Sequence, residues 1–324
     1  MSELLIIILN YRTPRLTIEC LRSLSDKLGE VPGTRVVVVE NGSADGSGRE
    51  IADAIGDNGW AAWADLLLLP VNRGFAGGNN AALDLLRSDD RFKAAPWVLL
   101  LNSDAIVHPR VLRYCYDLMR HDLRIGVMSC MLRNADGSPQ NVTRDFPTPL
   151  KQAVCAFGLP WTHPQRFAWA DVYDVPPKLL TTKRDVDWLG GAFMFVRRKA
   201  LDDIGGRMDE SFFFYGEDIE FCHRFRRHGW RVHYDPAVSI THIGGSSSDP
   251  TRVPDKLKNV YTWRARYLVQ KKCYGRPAAW LVRACDVVAL GLRKVKMLAT
   301  GKRDSERYRN VSDALSILVR PLRT

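Results

Sequence analysis

With 324 residues, 46% of them hydrophobic and 26% charged, the chain is long enough for one large domain or two, and its composition excludes disorder and collagen. No apolar run approaches the roughly 20 residues of a membrane-spanning helix, and Met1-Ser2-Glu3 carries no basic n-region, so the expectation is a cytoplasmic chain without a secretory signal. Seven scattered cysteines without a Cys-x-x-Cys pair fit reduced thiols and neither a disulfide framework nor a zinc site. The formal charge of +11 is uneven. Residues 251 to 324 hold 18 basic and 5 acidic side chains, a net of +13, which leaves 29 against 31, or −2, for residues 1 to 250. A near-neutral body with a basic tail points to a polyanionic surface partner, either membrane phosphates or nucleic acid.

In chain order, apolar runs alternate with helix-like segments. Leu4 to Leu9, Val36 to Val39, Leu66 to Leu69, Val98 to Leu101 and Val127 to Leu132 read as buried parallel strands. Thr13-Pro14 starts a helix with Pro at its first position, and Leu16, Cys20, Leu21, Leu24 and Leu28 follow at helical spacing. Repeated strand–helix–strand units predict a doubly wound α/β sheet, whose ligands sit beyond the carboxyl ends of the strands. The residues there are polar: Asn10 and Tyr11, then Glu40 and Asn41, then Asn102, Ser103 and Asp104. The Pro-rich stretch from Asp136 to about Asp185 has little periodicity and reads as an excursion or lid. Order resumes at Val186 with a strand around Ala192 to Val196, a loop through Phe212 to Tyr215 and a helix from about Glu217 closed by Gly229. A strand near Val238 to Thr241 then ends in His242-Ile243-Gly244-Gly245.

Neither Gly-x-Gly-x-x-Gly nor a P-loop with its Lys is present, which demotes dehydrogenase and P-loop kinase readings. Gly74-Phe75-Ala76-Gly77-Gly78 is glycine-rich with other spacing, a tight strand-to-helix turn or a ligand contact. The ordered series is more specific. Asn10-Tyr11, Val39-Glu40-Asn41-Gly42-Ser43 with Asp45-Gly46, Asn72 to Asn80, Leu101-Asn102-Ser103-Asp104, Trp188 to Met194, Gly205 to Phe213 and Glu217-Asp218 together resemble glycosyltransferase family 2. The order and spacing are similar to the bacterial rhamnosyltransferase and galactofuranosyltransferase branch, over roughly residues 4 to 245.

That resemblance implies a GT-A fold: a doubly wound, mainly parallel α/β sheet with helices on both faces, here followed by a helical basic C-terminal segment. It implies a nucleoside-diphosphate sugar donor, a divalent metal, Mg or Mn, and inversion at the anomeric carbon. A diphosphate leaving group gathers negative charge, so catalysis requires a cation at its oxygens. Asp104 stands where the family's Asp-x-Asp motif ends, and Asn102 occupies the place of the first carboxylate. A single carboxylate suits an ion that takes further ligands from phosphates and water, and His242 matches the family's second metal ligand. Asp218, in the first turn of a helix, is the candidate general base, with Glu217 orienting the acceptor or the helix start. Asp209, Glu210, Trp188, Gly190 and Gly191 are candidate acceptor contacts. On the donor side, Asn10, Tyr11, Glu40, Asn41, Asn72, Gly74, Asn102 and Asp104 are candidate nucleotide contacts; Glu40 stands where the family has an Asp for the pyrimidine ring. Arg73 reads as a surface cation.

In the tail, residues 281, 284, 288, 295 and 298 recur at helical spacing, while Arg276, Arg283, Arg293, Lys294 and Lys296 fall mostly on the opposite half. This basic amphipathic helix is either an in-plane anchor on an anionic membrane or a helix that packs on its own domain. No nucleic-acid reader motif is present. The expected division is therefore a GT-A domain over 1–250, with a nucleotide part at about 1–132 and an acceptor part at about 186–245, and a basic helical region over 251–324. The expected reaction moves a hexose or deoxyhexose, rhamnose favoured, from UDP or dTDP to a glycan or lipid-linked acceptor, with the protein cytoplasmic or peripheral on the inner membrane face. The alternatives are a nucleotidyltransferase on a similar sheet and a non-catalytic sugar-nucleotide-binding protein.

Overall fold

The structure is a computed structural model that describes residues 2–172, 175–244, 255–303 and 305–319. Gly245, the 250/251 boundary and residues 320–324 lie outside the described residues. The first half runs β1 (Leu4–Asn10), α1 (Pro14–Ser25), β2 (Thr34–Asn41), α2 (Ser47–Asp57), β3 (Ala64–Leu69), α3 (Gly74–Leu83), α4 (Leu85–Ser88), β4 (Trp97–Asn102), β5 (Ala105–Val107), α5 (Val111–His121) and β6 (Ile125–Arg133). The Pro-rich stretch holds β7 (Thr143–Arg144), four short helices, α6 (Pro149–Ala156), α7 (Leu159–Thr162), α8 (Pro164–Phe167) and α9 (Pro177–Leu180), and β8 (Arg184–Asp185). Each of these helices has Pro at its first or second position, where the missing N–H costs nothing. That explains why a segment without apolar periodicity is nonetheless helical. β9 (Trp188–Leu189), β10 (Phe193–Arg197), α10 (Arg198–Asp203), α11 (Glu217–Arg227) and β11 (Arg231–His242) complete the body.

The central sheet has the order β3-β2-β1-β4-β10-β6-β11-β5, with β8 added on β11. β1 through β4 are mutually parallel, and the runs Leu4–Ile8 and Val36–Val39 are buried at nearly every position. Both faces of β1 and β2 are therefore covered, which is why they lack a polar alternation, whereas β3 lies at the sheet edge with Leu68 exposed. β10 enters antiparallel between β4 and β6. This reversed strand ties the fifth predicted strand to the first four. β11 is longer than its apolar run suggests, because it pairs with β6 on either side of a bulge between Asp235 and Ser239.

The tail forms α12 (Asp255–Tyr274), α13 (Arg276–Ala299) and α14 (Glu306–Val319) around a small apolar cluster of its own that includes Tyr267, Val282, Leu290 and Leu318. A buried ion pair fastens α12 to α13: Arg266 Nε donates to Asp286 at 2.8 Å, and the Tyr267 hydroxyl reaches the same carboxylate at 2.8 Å. The predicted amphipathic helix exists, but its faces are reversed relative to the packed-helix expectation. Arg293 donates to the Ala156 carbonyl at 2.7 Å and Arg283 to the Leu318 carbonyl at 3.0 Å, so two of the basic residues hold the helix in place. Trp280, Leu281, Val288, Leu292, Val295 and Leu298 instead face outward, 46% to 69% exposed. Among the described residues, no helix is long and apolar enough to cross a membrane.

Candidate active site

The carboxyl ends of β1, β2 and β4 open on a cavity of about 330 Å³. On the sheet side, two asparagines shape its floor. Asn41 Nδ2 donates to Asn72 Oδ1 at 3.0 Å and to the Gly74 carbonyl at 3.1 Å, while its Oδ1 accepts from the Arg73 N–H at 3.0 Å. Gly74 is required by this geometry: its φ is +71°, and a Cβ there would lie 2.3 Å from the Phe213 carbonyl oxygen. The glycine-rich run is thus a tight turn that also lines the cavity.

At one wall stand Asp104 and His242. They meet because β5, directly after Asp104, pairs antiparallel with β11 so that Ala105 faces His242, and the Ile243 N–H donates to the Asp104 carbonyl at 3.0 Å. The imidazole orientation is fixed from behind. Gln140 Nε2 donates to the His242 carbonyl at 2.5 Å and to Asn134 Oδ1 at 2.7 Å, which directs Gln140 Oε1 at His242 Nδ1, 2.8 Å away. In the neutral ring, Nδ1 carries the proton and Nε2 presents a lone pair toward Asp104 Oδ1 at 3.2 Å. Two acceptors facing each other, with a histidine oriented by an outer hydrogen bond, form a donor set that fits a divalent cation. Asn102 Nδ2 lies 3.3 Å from the same Nε2.

The opposite wall is the start of α11. Tyr215 and Gly216 both have left-handed backbone, at φ +69° and +90°, unusual for the tyrosine. These two residues turn the chain so that Glu217 and Asp218 enter the cavity. Burial raises the Asp218 carboxyl above the aspartate range, and the Ile219 N–H at 2.9 Å and the Arg144 guanidinium pull it part of the way back. Burial also pushes Glu217 up, and the neighbouring Asp218 charge pushes it further. Glu217 Oε2 is buried and has no hydrogen-bond partner. Both carboxyls are thus raised, and Asp218 is the one with N–H and cationic neighbours that favour its charged form. It also lines a second cavity of about 320 Å³, bounded by Trp188, Arg144 and Ile219. There the Trp188 ring lies under Arg144, 5.6 Å from the guanidinium, and its Nε1 donates to the Asp145 carbonyl at 3.0 Å.

The cavity brings together Tyr11, Asn41, Asn72, Gly74, Asn102, Asp104, Gly190, Gly191, Glu217, Asp218 and His242. Asn10 and Glu40 stand behind its wall. Asn10 Oδ1 accepts from Thr17 Oγ1 at 2.9 Å at the start of α1, and the Glu40 carboxylate accepts from the Gly42 and Ser43 N–H groups at 3.1 and 2.9 Å. Asp209 pairs with Lys272 at 2.6 Å on α12, and Glu210 with Arg73 at 3.1 Å and Arg207 at 2.9 Å, both away from the cavity. Arg73 is accordingly an ion-pair partner and not a freely solvated cation. Gln140, Arg144 and Tyr261, absent from the candidates read in the sequence, come from the unpatterned Pro-rich stretch and from the tail. Two local turn signals stand beside these residues: Asn134-Ala135-Asp136-Gly137, with Gly137 at φ +83°, precedes Gln140, and Tyr215-Gly216 directly precedes Glu217.

The fold and the paired carboxylate walls define a GT-A glycosyltransferase. The profile of "Glycosyltransferase like family 2" matches residues 2–262, and the chain belongs to that family. It is 26% identical over 282 residues to the N-acetylglucosaminyl-diphospho-decaprenol L-rhamnosyltransferase of Mycobacterium tuberculosis, covering 84% of this chain and 86% of that protein. It is also 26% identical over 282 residues to the low-salt glycan biosynthesis hexosyltransferase Agl10 of Haloferax volcanii, covering 85% and 78%. Among solved structures it resembles the mannosyltransferase PcManGT of Pyrobaculum calidifontis in complex with GDP-Man and Mn2+, with a TM-score of 0.55 and 16% identity over 98% of this chain and 85% of that one.

Proposed function

We propose that the protein is an inverting, divalent-metal-dependent hexosyltransferase that moves a deoxyhexose, rhamnose favoured, from a UDP or dTDP sugar to a lipid-linked glycan in cell-surface polysaccharide synthesis. The observation that carries this reading is one cavity with a metal-type Asp104–His242 pair on one wall and an ionisable Asp218 on the other. Asp104 and His242 would hold Mg or Mn, whose charge offsets the negative charge that collects on the departing diphosphate. Tyr11, Asn41, Asn72, Gly74 and Asn102 contact the donor nucleotide, with Asn10 and Glu40 bracing that floor from behind. Asp218 accepts the proton of the acceptor hydroxyl as its oxygen bonds to the anomeric carbon, and the bond from that carbon to the diphosphate oxygen breaks. Gly190, Gly191 and Trp188 line the acceptor side, and Glu217, neutral, donates a hydrogen bond there. Asp209 and Glu210 act through the loop they brace. The relative from Mycobacterium tuberculosis is an N-acetylglucosaminyl-diphospho-decaprenol L-rhamnosyltransferase, which supports a lipid-linked acceptor.

Residues 1–250 form the transferase unit and 251–324 a unit that seats it on an anionic bilayer at the cytoplasmic face. The outward apolar stripe of α13 supports this seat, with exposed Arg276 at its start and exposed Lys296, Lys302 and Arg303 at its end. The direct test is product analysis with UDP and dTDP sugars, Mn and a lipid-linked acceptor. Nucleoside diphosphate released one for one with glycoside is expected, and pyrophosphate release would sink the reading.

A further inference from the structure

Beside the reaction cavity lies a larger groove of about 480 Å³ between the 211–215 loop, α12 and the start of α13. Its floor is aromatic: the Phe213 ring stacks on Tyr261 at 5.3 Å, and Tyr267 and Trp280 continue the surface. Its rim is cationic. Arg264, Lys271, Arg276 and Arg283 line it, and none of its lining residues is acidic. Arg283 is engaged with the Leu318 carbonyl, while Arg264, Lys271 and Arg276 have no ion pair among the described residues. Such a groove selects a ligand with a polyanionic head and an apolar body, since the rim repays desolvation of the anion and the floor that of hydrocarbon.

Two connections decide which ligand. Phe213, Phe214, Tyr215 and Tyr261 line the groove and the reaction cavity alike, so a molecule in the groove continues to Asp218. Trp280, at the other end, also belongs to the outward stripe of α13, so the groove opens where that stripe begins. We propose that this groove binds the diphosphate and first isoprenoid units of the lipid-linked acceptor, delivering the acceptor sugar past Tyr215 to Asp218. The proposal rests on the reading of the protein as a glycosyltransferase of lipid-linked glycans.

The test is calorimetric binding of farnesyl diphosphate to the full chain in EDTA, which removes the metal-dependent donor site. Binding is expected, at least tenfold tighter than for pyrophosphate or farnesol, and unchanged by added nucleoside diphosphate. The triple variant Arg264→Gln, Lys271→Gln and Arg276→Gln should weaken it at least tenfold while the melting temperature and metal-dependent nucleotide binding stay the same. Ala279→Trp, which fills the groove instead of discharging it, should do likewise. Absence of binding, equal affinity for farnesol, competition by nucleoside diphosphate or indifference to both variants overturns the proposal. Failure of the transferase reading is distinct: it shows as no sugar transfer from any donor while binding in EDTA persists. Failure of the groove alone leaves transfer to a short water-soluble acceptor intact.

Discussion

Glu217 and Asp218 are adjacent carboxylates to which the first turn of α11 gives different chemistry. Asp218 has backbone N–H groups and Arg144 to offset its burial; Glu217 has burial and a like charge against it. Asp218→Asn should lower turnover by roughly two to four orders of magnitude, the usual share of a general base, with donor affinity retained; unimpaired turnover would remove Asp218 from the role. The base must be ionised, so activity should rise with pH through a value above the ordinary aspartate range. Glu217→Gln should leave that limb in place, because Glu217 stays protonated across it. Stability supplies an independent readout. A carboxyl whose folded pKa lies above its unfolded one binds more protons in the native state, so its contribution falls as pH rises from the unfolded value through the folded one. Glu217→Gln should therefore raise the melting temperature at neutral and alkaline pH, and the gain should vanish near the ordinary glutamate value of 4.5. Across the cavity, Asp104→Ala should abolish the metal-dependent part of nucleoside diphosphate binding. Gln140→Leu, which frees the His242 ring, should weaken metal affinity by about 10- to 100-fold. Equal nucleotide affinity in EDTA and in Mn for the wild type would refute both.

Among the elements, the ones legible in the sequence are those whose own pattern decides them. β1, β2, β4 and β6 are continuous apolar runs, and α11 has an acidic first turn and a basic last turn around buried Phe221 and Phe225. Asp104 and Asp218 were legible because each lies where such an element begins or ends. Gln140 is held by the turn directly after β6, where its N–H donates to the Leu132 carbonyl at 2.8 Å. Arg144 was not legible, since its position depends on β7 pairing with β9, where it faces Trp188, a two-residue contact between distant segments that no local period announces. Nor was the seating of α13, because Arg293 and Arg283 satisfy carbonyls on other elements while apolar side chains are left outside. The Arg266–Asp286 pair that joins α12 to α13 is nearly dry. Breaking a buried pair leaves an uncompensated charge, so Asp286→Ala should cost about 3–5 kcal/mol in denaturant unfolding. Replacing both partners by apolar residues should recover most of that loss.

For the whole molecule, the reversal of α13 changes which substitutions matter. Val288→Asp and Leu292→Asp fall on exposed positions, where surface changes shift stability within about 0.5 kcal/mol, so both should leave the melting temperature in place and abolish co-sedimentation with anionic vesicles. Arg293→Gln should instead lower the melting temperature, through loss of its bond to the Ala156 carbonyl. A wild type that ignores vesicles, or a Val288→Asp protein that melts, would show that the stripe is not a bilayer seat. Because the seat is apolar as well as charged, salt should weaken vesicle binding without eliminating it.

On the proposed bilayer seat, the outward face of α13 would also govern how often the protein meets a partner. A rod of 24 residues is about 36 Å long at 1.5 Å per residue, and once it lies flat two of the three tumbling axes are gone. On that seat the search for an acceptor would become lateral diffusion in two dimensions. Turnover of a membrane-resident acceptor should then follow its density in the bilayer and not its concentration in the tube. Diluting the acceptor with carrier lipid at constant total amount should slow the reaction, whereas a short soluble acceptor should be indifferent to the added lipid.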